Sequence, residues 1–177
     1  MSEVTLLKYP DAPGRIVSMD DIEDAHDGLV RHHRDDGWDT GTDEASTASP
    51  PGFAMILIVE DGGPRVQACV RRLVTMAVSP RPANVVFASS AEDAIVLLRS
   101  FCFDLVVSDY DLGGSDGGQV LEHVQRHIPH MVARFVFFSG SEEPARLLPG
   151  RVIDKGVSPD RFVRDVRAMA PGDLRGQ

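Results

Sequence analysis

Cysteine is scarce: Cys69 and Cys102 are the only two in 177 residues. Both stand in apolar stretches, which predicts buried free thiols in a reducing cytosol and excludes a disulfide framework. Long apolar runs are missing too; none approaches the ~18 uncharged residues of a membrane span. The N-terminus, MSEVTLLKYPD, has no basic region leading into an apolar one, so no secretory signal is expected. No histidine, cysteine or aspartate cluster has zinc spacing. His32 and His33 are neighbours and would not share a helix face, while His123, His127 and His130 read as surface or helix-end residues. Positive charge is in deficit, with 18 Lys and Arg against 27 Asp and Glu, a net charge of −9. That balance argues against a general nucleic-acid binder. The expectation is a cytoplasmic chain with neither nucleic acid nor membrane as its partner.

What is present falls into two unequal parts. Residues 1–53 carry 12 acidic and 4 basic side chains, and residues 54–177 carry 15 and 14, so nearly the whole excess lies in the first third. That third has scattered apolar residues and closes, from Thr40 to Gly52, on Gly, Thr, Asp, Ser and Pro. Such composition does not bury enough surface to offset the entropy of ordering. An acidic, largely flexible extension over 1–53 is therefore expected. Within it, a Ser18/Asp21 capping box precedes Ile22, Ala25, Leu29 and Val30 at helical spacing, which predicts a short helix over 19–34 interrupted by Gly28.

From Ala54 to residue 170 the pattern is that of one domain, with 171–177 as a tail. Five short apolar runs, AMILIVE, VVFAS, DLVVSD, RFVFFS and RVIDK, alternate with helical periodicity. Val66, Val70, Leu73 and Val74 mark the first helical face, and Ala94, Ile95, Leu97 and Leu98 the second. Val120, Leu121 and Val124 mark the third, and Phe162, Val163, Val166 and Met169 the last. Pro64 suits a first helical turn, Ser89 to Asp93 offers two overlapping capping boxes, and Ser158-Pro159-Asp160 reads as cap, first turn and acid. Apolar strands alternating with helices predict an α/β fold, a doubly wound five-stranded parallel sheet covered on both faces.

In such a sheet the functional crevice lies beyond the carboxyl ends of the strands. The residues ending the runs are Glu60-Asp61, Ser108-Asp109, Ser139-Gly140 and Asp154-Lys155. Carboxylates crowded together repel one another and are tolerable beside a divalent cation, and oxygen donors favour Mg²⁺ or Mn²⁺. A carboxylate is also a covalent nucleophile toward phosphorus, and the product needs a metal, a cation and a hydroxyl donor around it. After residue 53 the chain has 13 arginines and one lysine, Lys155. A crowded phosphate pocket gives a reason to keep the smaller head group there.

These pieces, ILIVED (56–61), DLVVSDYDLGGSDGG (104–118), FVFFSGS (135–141) and VIDKG (152–156), resemble the receiver (CheY-like) domain of two-component response regulators. The resemblance implies a flavodoxin-like (βα)5 fold and Asp109 as phosphoacceptor. It implies Ser139 and Lys155 as the catalytic partners of Asp109. It also implies Mg²⁺ held by Glu60, Asp61, Asp109 and the backbone carbonyl of Asp111, and a glycine eight residues past the acceptor, Gly117. The chain departs from the family in four places. Only 16 residues separate Ser139 from Lys155, too few for a full fourth helix, so that helix is expected to shrink to a turn over 142–148. Val152 stands where the family often has an aromatic, Gly156 replaces the proline after the lysine, and Gly113 replaces a common proline after the acceptor.

The function implied is that of a single-domain response regulator, since few residues follow Met169. It would take a phosphoryl group from a histidine kinase or histidine phosphotransfer protein and signal through a downstream protein or onward phosphotransfer. An enzyme is not expected beyond self-phosphorylation. A pseudo-receiver that binds partners without phosphorylation is the alternative, favoured by the short fourth helix. Asp109-Tyr110-Asp111 also fits the DxD of haloacid-dehalogenase-type phosphatases. That family, however, places its DxD after the first strand and its metal-binding acids late, the reverse of the order here.

Overall fold

The computed structural model describes residues 53–170 and 172–174. The extension over 1–52, including the helix predicted at 19–34, lies outside the described residues. Strand β1 (Ala54–Val59) has all six residues buried, as a strand covered on both faces must. Its alternate side chains feed two separate cores. Met55, Leu57 and Val59 pack with Ala94, Leu97, Val120 and Leu121 on one side. Ile56 and Ile58 pack with Val70, Val74, Phe162 and Val166 on the other.

Helix α1 (Pro64–Val78) leads to β2 (Ala83–Ala88), α2 (Ala91–Ser100) and β3 (Leu105–Ser108). A two-residue-arm hairpin, Asp111–Leu112 with Ser115–Asp116, precedes α3 (Gly117–His127). A 3-10 turn (Pro129–Arg134), β4 (Phe135–Ser139), α4 (Pro144–Leu147), β5 (Val152–Asp154), α5 (Pro159–Met169) and a 3-10 turn (Gly172–Leu174) complete the chain. The five strands are parallel in the order 2-1-3-4-5, the doubly wound arrangement with its switch between β1 and β3. Pairing Val59 with Ser108, Ser108 with Phe137 and Ser139 with Asp154 brings the carboxyl ends of four strands to one edge.

Of the two overlapping caps before α2, Ser90 is the one used, its hydroxyl accepting from Asp93 N at 3.1 Å. Asp116 and Ser158 cap α3 and α5 in the same way. As expected from the short spacing, α4 is a single turn of four residues. Arg151, just ahead of β5, donates from Nε to Phe135 O at 2.7 Å and from Nη2 to Met169 O at 3.0 Å. One guanidinium thus fastens the entry of β5 to the start of β4 and the end of α5.

Four expectations are corrected. Cys69 and Cys102 are both exposed; Cys69 lies on the outward side of α1, one residue from buried Val70, and Cys102 in the turn after α2. Val66 is 42% exposed and Leu73 half-buried, so the packed face of α1 is Val70, Val74, Ala77 and Val78. Val66, in the first turn of α1, stands against Gly62. His123 is buried on α3 among Val120, Leu121 and Val124, not on the surface. Leu174 is buried in the α1/α5 core, so packing continues into the segment read as a tail.

Candidate functional site

The residues that end the strands meet beyond the carboxyl edge. Glu60, Asp61 and Asp109 offer carboxylate oxygens that all lie within 4.8 Å of one another. Glu60 and Asp109 are buried, and Asp61 is exposed at the rim. Two buried carboxylates this close are costly unless cations compensate them. Lys155 supplies one such charge: its ammonium is 2.5 Å from Asp109 Oδ2 and 3.0 Å from Glu60 Oε2. Burial alone would lower the Lys155 pKa, but its hydrogen bonds and charge attraction to Asp109 and Glu60 outweigh that and raise it above the ordinary 10.5. The lysine is therefore an ammonium throughout the physiological range.

Backbone N–H groups fix the two buried carboxylates. Tyr110 N donates to Asp109 Oδ1 at 2.7 Å, and Asp111 N to the same oxygen at 3.3 Å. Gly62 N donates to Glu60 Oε1 at 3.0 Å, and the Gln67 amide reaches back from α1 to Glu60 O at 3.2 Å. Asp109 itself is carried at the end of β3, its N–H donating to Val59 O at 2.8 Å. Ser139 is buried at the end of β4, and its hydroxyl oxygen accepts from Ser141 N at 3.1 Å, which leaves its proton to donate. Lys155 N donates to Ser139 O at 3.1 Å, tying the lysine and serine loops together.

The hairpin after Asp109 explains two glycines. Gly113 has φ +66, and a Cβ there would stand 2.8 Å from Asp61 Oδ2, so glycine meets both the left-handed turn and the acid rim. Proline, with φ near −65°, has no place at that position. A Cβ on Gly117 would stand 2.2 Å from the Asp109 carbonyl oxygen.

Sequence reasoning named Ser108 and Tyr110 only as neighbours of Asp109, without a role, and did not name Gln67. Ser108, fully buried, donates from Oγ to Asp109 O at 2.7 Å. The Tyr110 ring stands edge-on to Phe137, centroids 5.9 Å apart, beside the acceptor. The sequence signal of Ser108 and Tyr110 was adjacency to Asp109; Gln67, seven residues past Glu60, had none. Among the described residues, Glu60, Asp61 and Asp109 are the one group of three or more potential metal-ligating side chains. An all-oxygen set beside a lone ammonium fits a hard divalent cation such as Mg²⁺ and does not suit zinc or copper. The Asp111 side chain is exposed and outside that group; the role expected of this residue rests on its carbonyl alone.

No protein-family model matches the sequence, and no curated protein does. Solved structures do. A two-component response regulator of the LuxR family from Aurantimonas sp. SI85-9A1 shares 25% identity with a TM-score of 0.56, covering 66% of this chain and 84% of that one. The HemR receiver domain from Leptospira biflexa, non-phosphorylated, shares 24% with a TM-score of 0.52, covering 66% and 93%. A CheY-like receiver domain protein from Methanospirillum hungatei JF-1 shares 18% with a TM-score of 0.52, covering 66% and 92%. With the 2-1-3-4-5 parallel sheet and the strand-end residues above, the fold of this chain is that of a response-regulator receiver domain.

Proposed function

We propose that Asp109 accepts a phosphoryl group from a phosphohistidine on a kinase or phosphotransfer protein, and that the phosphorylated chain acts on a partner protein or passes the group onward. The observation that carries this reading is the Lys155 ammonium bonded at once to Asp109 and Glu60 at the edge of a receiver-type sheet. An Asp109 carboxylate oxygen attacks phosphorus, the P–N bond breaks, and the imidazole leaves with the electron pair and takes up a proton. The product is an aspartyl phosphate. Backbone N–H groups of Tyr110 and Asp111 hold the acceptor carboxylate in position for this attack. Lys155 would pair with one phosphoryl oxygen, and the Ser139 hydroxyl would donate to another. Glu60, Asp61 and Asp109, with the Asp111 carbonyl, are the residues that would hold Mg²⁺. When bound, the ion supplies charge neutralisation on the transferring group.

Incubating the purified chain with Mg²⁺ and acetyl phosphate tests the reading. The expected result is a mass gain of one phosphoryl group, labile to hydroxylamine, mapped to Asp109 and lost in Asp109→Asn. The four-residue α4 favours one second reading, a receiver fold that binds its partner without phosphorylation. The same experiment separates the two, since the second predicts no mass gain and partner binding unchanged in Asp109→Asn.

A further inference from the structure

We propose that the acidic N-terminal segment of this chain, centred on residues 20–30, docks in the groove between α1 and the edge strand β2. The groove has a volume of about 510 Å³ and is lined by residues of α1 and β2. Arg71 and Arg72 are among its lining residues, with Met76, Pro82, Ala83 and Phe87 contributing apolar surface. Helix α1 carries Arg65, Arg71 and Arg72 and no acidic residue in its 15 positions. Of the five large apolar side chains exposed among the described residues, Phe53, Val66 and Met76 belong to the chain entry and α1. The surface is thus basic and apolar at once.

Where the chain arrives selects the occupant. Ala54 N donates to Pro82 O at 2.7 Å, and Arg81 Nη2 donates to Phe53 O at 2.9 Å, so the described chain begins beside Pro82, a lining residue of the groove. The preceding sequence has the complementary chemistry. Residues 20–27 hold five acids and no lysine or arginine, with His26 among them, followed and interleaved by the apolar series Ile22, Ala25, Leu29 and Val30. Acids match Arg71 and Arg72; the apolar series matches Met76 and Phe87. The 22 residues between Val30 and Phe53 reach, at ~3.3 Å per residue, far beyond the length of the groove. A tethered segment is also present at an effective concentration of order millimolar, so weak complementarity suffices. An acidic partner protein or a second copy of this chain must compete against that concentration.

The test uses the full chain and does not involve phosphorylation. Cys69 is exposed on α1, outside the groove lining and one turn before Arg72. With Cys102→Ser, a nitroxide on Cys69 should broaden the ¹⁵N amide signals of residues 20–30 severalfold at low salt. Added salt should restore them, because the contact is partly electrostatic and screened. The charge reversal Arg71→Glu with Arg72→Glu should restore them as well. If that pair disturbs α1, the combined neutralisation Asp20→Asn, Asp21→Asn, Glu23→Gln and Asp24→Asn leaves the domain untouched and should do the same. Mixing ¹⁵N chain lacking the nitroxide with nitroxide-bearing unlabelled chain should give no broadening. Three results would overturn the proposal: no broadening at low salt, broadening insensitive to both charge variants, or broadening that appears equally in the mixed sample, which assigns the groove to a second copy.

Discussion

Gly117 and Asp109 are packed backbone to backbone: a Cβ on the glycine would lie 2.2 Å from the aspartate carbonyl oxygen, 2.9 Å from Ser108 Oγ and 3.0 Å from the Phe137 ring. No flexible side-chain end is available to yield to the first of these contacts. The glycine that the family resemblance placed eight residues past the acceptor is thus a steric requirement of this chain.

Gly117→Ala should therefore destabilise the domain by about 1–3 kcal/mol, the usual cost of overpacking a core. Urea denaturation measures it. Gly114→Ala is the control, since a Cβ there meets nothing within 4 Å, and its unfolding midpoint should stay close to wild type. Equal midpoints for the two variants would contradict the packing account.

Arg151 supports the second prediction. Its guanidinium satisfies Phe135 O and Met169 O from two separate nitrogens, and burial lowers its pKa. Arg151→Lys keeps the charge but gives up the two-pronged reach. A loss of about 1–3 kcal/mol is expected from the hydrogen bonds to a charged group that are forfeited. Because β5 carries Asp154 and leads into Lys155, the variant should also disturb the Lys155 ammonium, visible as a shift of its side-chain NMR signals.

Much of this frame was readable from sequence because each strand of a parallel sheet is a short, continuous apolar run, and its last residue is placed by topology alone. Glu60, Asp109, Ser139 and Lys155 come from four runs far apart in sequence, and the structure brings them to one edge. The shortened α4 was equally readable, as a count of residues between two strand ends. Helix faces were less so. Val66 is in phase with Val70 and Val74, but periodicity does not say how far along the helix the packing extends. Cys69 and Cys102 have apolar sequence neighbours and yet are exposed: on a helix the neighbour in sequence of Cys69 faces elsewhere, and Cys102 lies in the turn after α2. His123 follows Val120 at i+3, in phase with that buried residue, and a preference of histidine for surfaces hid it.

That buried histidine gives the chain a pH dependence. Burial first, then the charges of His127, Arg99 and Arg126, push the His123 pKa below the ordinary 6.5. The unfolded chain then binds a proton more readily than the folded one, so folding stability falls as pH drops below about 6.5. Above that value the group is neutral in both states and contributes nothing. His123→Gln should flatten the stability difference between pH 7 and pH 5 measured by urea denaturation. An unchanged slope would place the acid sensitivity elsewhere.

Asp61 stands at the rim with an exposed carboxylate, and its removal leaves the buried Glu60–Lys155–Asp109 contacts intact. Asp61→Ala should keep wild-type thermal stability without metal and weaken Mg²⁺ binding by about tenfold or more, on the scale typical of disturbed metal sites. Calorimetric titration with MgCl₂ measures this. Affinity equal to wild type would remove Asp61 from the metal site.

Ser139 links the strand-end site to the segment after β4. Its hydroxyl oxygen now accepts from Ser141 N, at the start of the loop that leads to α4. A phosphoryl group on Asp109 adds acceptor oxygens beside Lys155, and a serine that turns to donate to one of them draws this loop with it. A cavity of about 430 Å³, lined by Ser139, Ser141, Ala145, Arg146 and Val152, lies next to the loop and gives it room to move. Val152 has no ring to swing into that space. The response should therefore be a shift of the 140–150 segment as a whole between two states. Backbone hydrogen exchange across 140–150 should change when beryllofluoride and Mg²⁺ are added to the wild type. Ser139→Ala should still take the phosphate mimic but lose that change, and Asp109→Asn should lose both. Exchange that stays constant in a wild type proven to carry phosphate on Asp109 would make the chain a store of phosphoryl groups with no conformational output through this loop.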